Sequence, residues 1–334
     1  MDEKIKNHVG SYELGGRQRH KNMVVFPIMM PHNGGPDYMT LKEALEKAVF
    51  VVTEVSEGGT VPNLKVTNKA GVPVLLLDGE ELAGAKQNRV LNTTILVNAG
   101  AEILIPVSCT ERGRWSYASR ELVDSGNVMS PKLRTMNRRA VAASLESSHQ
   151  FHSDQYVVWE QINYMSIEAG ANSETGAMKD VFEARKSELD AYLKAFTCET
   201  QQKGLLVMIG GEVVGFDYIS RENAFGVLFP KLVKSYAMEA WLASRKQKGV
   251  YDENIAQEAS KTEAFMASVK DCGQKSYDSV GMGVDVRFEG KGIVGSALVV
   301  DDKPVHMAFF SVTESQKAGN MAGMSRRRSF RFSM

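Results

Sequence analysis

The sequence predicts an α+β fold: an N-terminal antiparallel β-rich half of sandwich or barrel type, a helical middle, and a C-terminal half of hairpin, two helices and three strands. Three observations carry this. Between residues 23 and 117, short apolar or alternating runs are separated by Gly, Pro and Asn turns, the pattern of an antiparallel sandwich or barrel. From Pro131 to Cys198 the apolar spacing lengthens to that of amphipathic helices. After Gly204 the short period returns, with Gly210-Gly211 closing a hairpin. The matching division is a β-rich domain at 22–118, an α+β domain at 130–313 and a basic tail at 314–334 expected to be disordered.

Residues Asp2 to His20 are polar and glycine-rich and read as a loose lead-in. Met23 to Met30 is β-rich but holds Pro27 and meets Pro31, so it is expected near a sheet edge. Thr40 with Glu43 three residues on forms a capping box for a short helix. Phe50 to Val55 and Leu64 to Asn68 alternate as half-buried strands do, whereas Val72 to Leu77 is continuously apolar and suits a strand covered on both faces. Asn88 to Val97 and Ala101 to Ser108 are expected as two further strands around the Asn98-Ala99-Gly100 turn. Ser119 to Ser130 reads as a polar connector.

Ser130-Pro131 is an N-cap followed by proline in the first helical turn. The helix to Ser147 carries Leu133, Met136, Ala140, Ala143 and Ser144 along one side. Asp154 to Ala169 is expected to turn Trp159, Ile162 and Ile167 inward, and Met178 to Cys198 to form one helix. Arg221 to Lys248 reads as a long helix with Pro230 marking a kink or its start, followed by a helix at Asp252 to Asp271 and three strands between Ser276 and Thr313.

Composition narrows the function classes. Forty basic and forty acidic residues cancel, which argues against non-specific binding of nucleic acid or anionic membrane. The longest apolar stretch, Gly204 to Phe216, is interrupted and shorter than the roughly 20 residues a membrane helix needs. The polar residues from Met1 to Asn7 lack a signal-peptide core, so a cytoplasmic location is expected. Cys109, Cys198 and Cys272 are odd in number and far apart, as reduced thiols are.

The densest chemistry follows the apolar run Val74 to Leu77. Within about ten residues of the Asp78-Gly79 turn lie Glu80, Glu81, Lys86, Gln87, Asn88 and Arg89. Burying such groups without partners costs several kcal/mol, so they are expected either to serve a ligand or to satisfy one another. In the first case Glu80 and Glu81 are the candidate catalytic carboxylates, Lys86 and Arg89 grip phosphate or carboxylate, and Gln87 and Asn88 read neutral groups. In the second they form a salt-bridge network closing a hairpin. Strand alternation sends Glu80 and Glu81 to opposite faces unless a bulge intervenes.

A second cluster, Ser108 to Trp115, also follows a strand; Glu111 and Arg114 extend the pocket, and Trp115 offers a stacking face. Its plainer reading is an ion pair beside a core tryptophan. His149 and His152, three apart beside Asp154, have no evident third ligand, and no metal site is assigned. Gly210 to Gly215 is no dinucleotide fingerprint, because its glycines close a hairpin and no helix begins there.

The stretches Val74 to Arg89, Ile103 to Trp115, and Gly211 to Asp217 with Ser235-Tyr236-Ala237 resemble the bacterial ARG and Rhodanese-Phosphatase-superfamily-associated protein domain family, over roughly residues 22 to 313. ARG there denotes ADP-ribosylglycohydrolase. The resemblance implies association with enzymes of ADP-ribose and phosphate-ester chemistry and carries over no catalytic residue and no cofactor. Two functions are therefore expected in competition. One is binding or hydrolysis of a nucleotide-like or ADP-ribose-like ligand at residues 80–89 and 111–115. The other is a non-enzymatic interaction or scaffold module whose helical middle docks a partner enzyme; an exposed apolar patch on Lys132 to Cys198 favours it.

Overall fold

Alternation along Met23–Met29 sets the layering of the whole protein. Met23 and Val25 face one apolar cluster, Val24 and Ile28 the other. The structure, a computed structural model, describes residues 1–246 and 255–312, with eight helices and eighteen strands among them. The predicted tail at 314–334 lies outside the described residues.

Met23–Met29 pairs with Gln202–Ile209, which pairs with Glu212–Ile219; Lys303–Ser311, Ile293–Val300, Val284–Gly290 and Gly273–Asp278 continue this antiparallel sheet. Helices Glu3–Gly10 and Ile255–Lys270 cover one face through Ile5, Val9, Phe265 and Val269. The long helix Glu222–Lys246 and the helices between Pro131 and Ala195 cover the other. Central strands such as Gln202–Ile209 and Ile293–Val300, covered on both faces, are accordingly apolar over most of their length, whereas Gly273–Asp278 at the sheet edge is polar and largely exposed.

The N-terminal β region forms a second body. Leu122–Val128, Glu80–Gly84, Arg89–Leu91, Glu102–Cys109, Asn63–Asn68 and Phe50–Glu54 lie side by side in one sheet. Ile95–Val97, Val74–Leu76 and Met39–Thr40 form another, whose last pair is parallel. Leu64, Val66, Leu76, Leu91, Ile95 and Val107 pack in the core between them. Helix Leu41–Glu46 closes one side, held by the expected capping box: Thr40 Oγ1 accepts from the Glu43 N–H, and the Glu43 carboxylate accepts from the Thr40 N–H. The fold is α+β and its sheets are antiparallel apart from that pair.

Several local expectations are corrected. Asp2 caps a helix at Glu3–Gly10 in the supposed lead-in, accepting from the Lys4 N–H. Met23–Met29 does lie next to the sheet edge, as expected: only the short strands Glu13–Leu14 and Gln18–His20 pair along its outer side, and Pro27, which has no N–H to give, falls at the break between them. The connector after Ser119 contains the strand Leu122–Val128, its pairing with Glu80–Gly84 interrupted between Asp124 and Val128.

Asn88 to Val97 is two strands in different sheets, because Asn92, Thr93 and Thr94 turn a corner and spend their side chains on buried partners. The helix expected from Met178 breaks at Arg185 into Met178–Ala184 and Lys186–Ala195. Four strands, not three, follow the last helix. Ile167 points outward, and the buried side of Pro131–Ser148 includes Arg134, Asn137 and Arg138, so its face is rotated from the apolar stripe.

Candidate functional site

Glu80 and Glu81 go to opposite faces of their strand, as alternation requires. Glu80 accepts a hydrogen bond from Lys231 Nζ at 2.7 Å and from the Leu77 N–H at 2.8 Å. Lys231, on the long helix, also reaches Asp124 at 2.8 Å, so one buried ammonium bridges two carboxylates. Glu81 faces Thr110, Ser125 and Asn127, whose hydroxyls and amide donate at 2.8, 3.0 and 3.4 Å. Burial pushes its carboxyl up to about 7, because these neutral donors replace only part of the lost hydration.

Downstream, the chain folds back on itself. Glu111 and Arg114 pair at 2.6 Å, and the Glu111 carboxylate also accepts from the Asn88 N–H. Arg114 donates to the Ala85 carbonyl at 2.6 Å and to those of Gly84 and Ser116, so its fork closes the hairpin end. This corner needs Gly84 at φ +123°; a side chain there would meet the Glu121 carbonyl. Arg89 is fully buried, donates to Gln87 Oε1 at 3.1 Å and lies 3.6 Å from Glu54. Lys86 donates to the Gly58 carbonyl at 2.9 Å and sits over the rings of Trp115 and Tyr117. Lys86, Gln87, Arg89 and Trp115 thus gather in one place, Asn88, Glu111 and Arg114 beside them, and Glu80 and Glu81 elsewhere.

A larger charged cluster lies where the two β bodies meet. Asp78 accepts from Arg134 at 3.2 Å and Arg138 at 2.7 Å; Asp217 accepts from Arg134 at 2.6 and 2.9 Å and from the Tyr236 hydroxyl at 2.9 Å. His306 spans them, Nδ1 at 2.8 Å from the Thr94 hydroxyl and Nε2 at 3.5 Å from Asp217. Burial alone would push both aspartates up, but the arginines outweigh it and hold both well below the usual carboxylate range. Burial lowers the His306 imidazole in turn. All seven side chains are buried. The Arg287–Asp285–Thr93 group adds a second set of paired charges at this junction.

Two grooves open to solvent lie away from this junction. A groove of 930 Å³ runs beside the Lys86 cluster, lined by Glu54, Lys65, Tyr117 and Arg120 among others. Another, of 680 Å³, lies along helix Gln155–Ala169, lined by Arg112, Tyr156, Trp159, Glu160, Tyr164 and Ile167 together with residues 171–174 and 176. Tyr156, Tyr164 and Ile167 are 65%, 50% and 68% exposed, and the Arg112 guanidinium stacks 5.7 Å from the Trp159 ring. His149 ends the preceding helix in a left-handed conformation and His152 is exposed; among the described residues no group of three His, Cys, Asp or Glu is placed to hold a metal ion. Burial pushes the Cys109 thiol up to about 11, so it is protonated at neutral pH.

The model of the ARG and Rhodanese-Phosphatase-superfamily-associated Protein domain matches residues 11–310. The chain belongs to that family. No curated protein and no solved structure matches it.

In this ARG and Rhodanese-Phosphatase-superfamily-associated Protein domain, the stretches quoted above for the resemblance converge in space. Asp78 comes from the first; Asp217 and Tyr236 come from the third and hydrogen-bond each other. Thr110 and Glu111, from the second, brace Glu81 and Asn88. Sequence reasoning left out Arg134, Arg138, Thr94 and His306, which complete the charged junction, and Glu54 and Tyr117, which flank Lys86. Arg134 and Arg138 carried one usable signal, being four apart on a helix face, and Tyr117 another, lying two residues after Trp115; Thr94, His306 and Glu54 are joined to their clusters only by the fold. Among the described residues no helix is long and apolar enough to cross a membrane.

Proposed function

We propose that this chain is a non-enzymatic interaction module that docks a partner enzyme of ADP-ribose or phosphate-ester metabolism on the outer face of helix Gln155–Ala169. One observation carries the reading: Tyr156, Tyr164 and Ile167, spaced along one side of that helix, stand half or more exposed over a groove that also holds Trp159 and Arg112. Tyr, Trp and Arg are the residue types that dominate binding energy at protein interfaces, and such aromatic area is not left in water without cost. The family description names the class of partner. In the polar cluster at residues 80–89, the pairing of Glu80 with Lys231 and the approach of Arg89 to Glu54 at 3.6 Å support the same reading.

The test is binding of the purified chain to purified ADP-ribosylglycohydrolases and rhodanese-phosphatases by biolayer interferometry. The wild type is expected to bind at least one of them, and Tyr164→Ala combined with Ile167→Asp to weaken binding about tenfold or more. Failure to bind any of them, or equal binding by the variant, overturns the proposal.

A second reading keeps Glu80 and Glu81 as catalytic groups and Lys86, Gln87, Asn88, Arg89, Glu111, Arg114 and Trp115 as the binding set for a nucleotide-like or ADP-ribose-like ligand. Its specific support is Glu81, a carboxyl held near 7 as a general acid or base requires. Titration of ADP-ribose and NAD by calorimetry against wild type and Lys86→Ala decides it; no heat with either ligand removes it.

A further inference from the structure

Lys86 does not behave as a free surface lysine. Its ammonium lies 5.5 Å from the centroid of Trp115 and 5.1 Å from that of Tyr117, both within the roughly 6 Å over which an aromatic face attracts a cation. The two rings are 47% and 51% exposed, so they form a clamp open to solvent on its outer side. Beneath it lies Glu54, a groove-lining residue only 7% exposed, whose Oε2 is itself buried and has no hydrogen-bond partner among the described residues. Its other oxygen takes the Lys86 backbone N–H at 3.3 Å and lies 3.6 Å from Arg89.

The parts converge on Gly59. A methyl group at that α-carbon would stand 3.2 Å from Lys86 Cδ, 3.3 Å from Trp115 Cζ2 and 3.4 Å from Glu54 Oε2. Only a residue without a side chain lets this loop close over the lysine stem, and its φ of +73° makes the same demand. Lys86 then tethers the loop through the Gly58 carbonyl, and the Tyr117 hydroxyl through that of Glu57 at 3.4 Å.

Two aromatic walls, an unpartnered carboxylate oxygen below and an acidic side chain, Glu57, on the groove make a receptor for a positive charge. Of the cationic residues around it, Lys65 is drawn to Glu102 at 3.5 Å, and the buried Arg89 guanidinium sits 3.6 Å from Glu54 Oε1 and 5.6 Å from the centroid of the Trp115 ring. From this geometry we infer that Trp115, Tyr117 and Glu54 form a binding site for a methylated ammonium group, and that Lys86 occupies it as an internal surrogate of the ligand. A methylated ammonium holds its water less tightly than a primary one and loses less on entering an aromatic clamp, so it displaces the lysine. Its entry frees Lys86 from the Gly58 carbonyl and with it the loop from Ser56 to Pro62. The site is independent of the docking face on helix Gln155–Ala169.

Calorimetric titration of the full chain with tetramethylammonium chloride, against matched sodium chloride, tests the inference on wild type, Lys86→Ala, and Lys86→Ala with Tyr117→Ala. Removing the surrogate is expected to strengthen tetramethylammonium binding about tenfold, and removing the exposed ring in that background to weaken it by a similar factor. Thermal melts establish that each variant is folded. The inference is overturned if folded Lys86→Ala takes up no tetramethylammonium, or if the wild type binds AMP and loses it in Lys86→Ala, the behaviour of an anion site.

Discussion

Arg134 and Arg138 lie at the centre of the protein, fully enclosed, while Tyr156, Tyr164 and Ile167 stand in solvent twenty to thirty residues further on. The two regions reverse what residue type alone leads one to expect. Around the arginines the answering charges come from other parts of the chain: Asp78 from the N-terminal body and Asp217 from the large sheet. Such a junction joins the two bodies and offers nothing to a visitor. The helix face has the opposite character, with large apolar area, few internal commitments and free access. Chemical richness marks a working site only where it remains unspent.

The sharpest way to break the comparison is Asp78→Asn, which leaves Arg138 beside an amide and weakens the hold on Arg134. Removing one partner of a buried ion pair costs about 3–5 kcal/mol. The shift is read from the urea midpoint at neutral pH, and a loss near zero would mean that the junction is hydrated. Because both aspartates are held below the usual range, their contribution is complete above about pH 4 and disappears only as the pH falls through their lowered folded values.

Glu81 gives a smaller effect of opposite sign. Its folded pKa, near 7, lies above that of the unfolded chain, so between about pH 4.5 and 7 the folded state holds the extra proton and stability falls as pH rises. Glu81→Gln is expected to flatten that slope, raising stability at pH 8 relative to wild type by on the order of 1–3 kcal/mol and leaving little difference at pH 4.5. Thermal melts at the two pH values check it.

The smallest effect belongs to the other region. Ile167→Asp at an exposed position is expected to change stability by no more than about 0.5 kcal/mol. A large loss in the urea midpoint would show that the helix face is structural after all.

The fold class was legible because periodicity reports burial directly. Alternation in Phe50–Glu54 and Asn63–Asn68, and the capping box at Thr40 and Glu43, are local facts that the packing had no reason to override. Where tertiary partners decide, local pattern failed. Arg134 and Arg138 sit on a buried helix face because Asp78 and Asp217 await them, and Thr93 and Thr94 interrupt an otherwise good strand because Asp285, Asp78 and His306 take their hydroxyls. Lys86, Gln87, Arg89 and Trp115 belong to two loops leaving neighbouring strands, and Tyr117 follows Trp115 in the second of them, whereas Glu54 reaches that neighbourhood from the strand Phe50–Glu54.

The register of Met23–Met29 against Gln202–Ile209 also governs how the protein is made. Val25 has its place opposite Val207, so it leaves the ribosome long before its partner exists. At about 5–20 residues per second the strand waits roughly ten to forty seconds, apolar on both sides and open along its hydrogen-bonding edge. Until the later hairpin emerges, only the short strands before it can shield it. Nascent chains halted before Gln202 should therefore depend on a holding chaperone that the finished protein no longer requires.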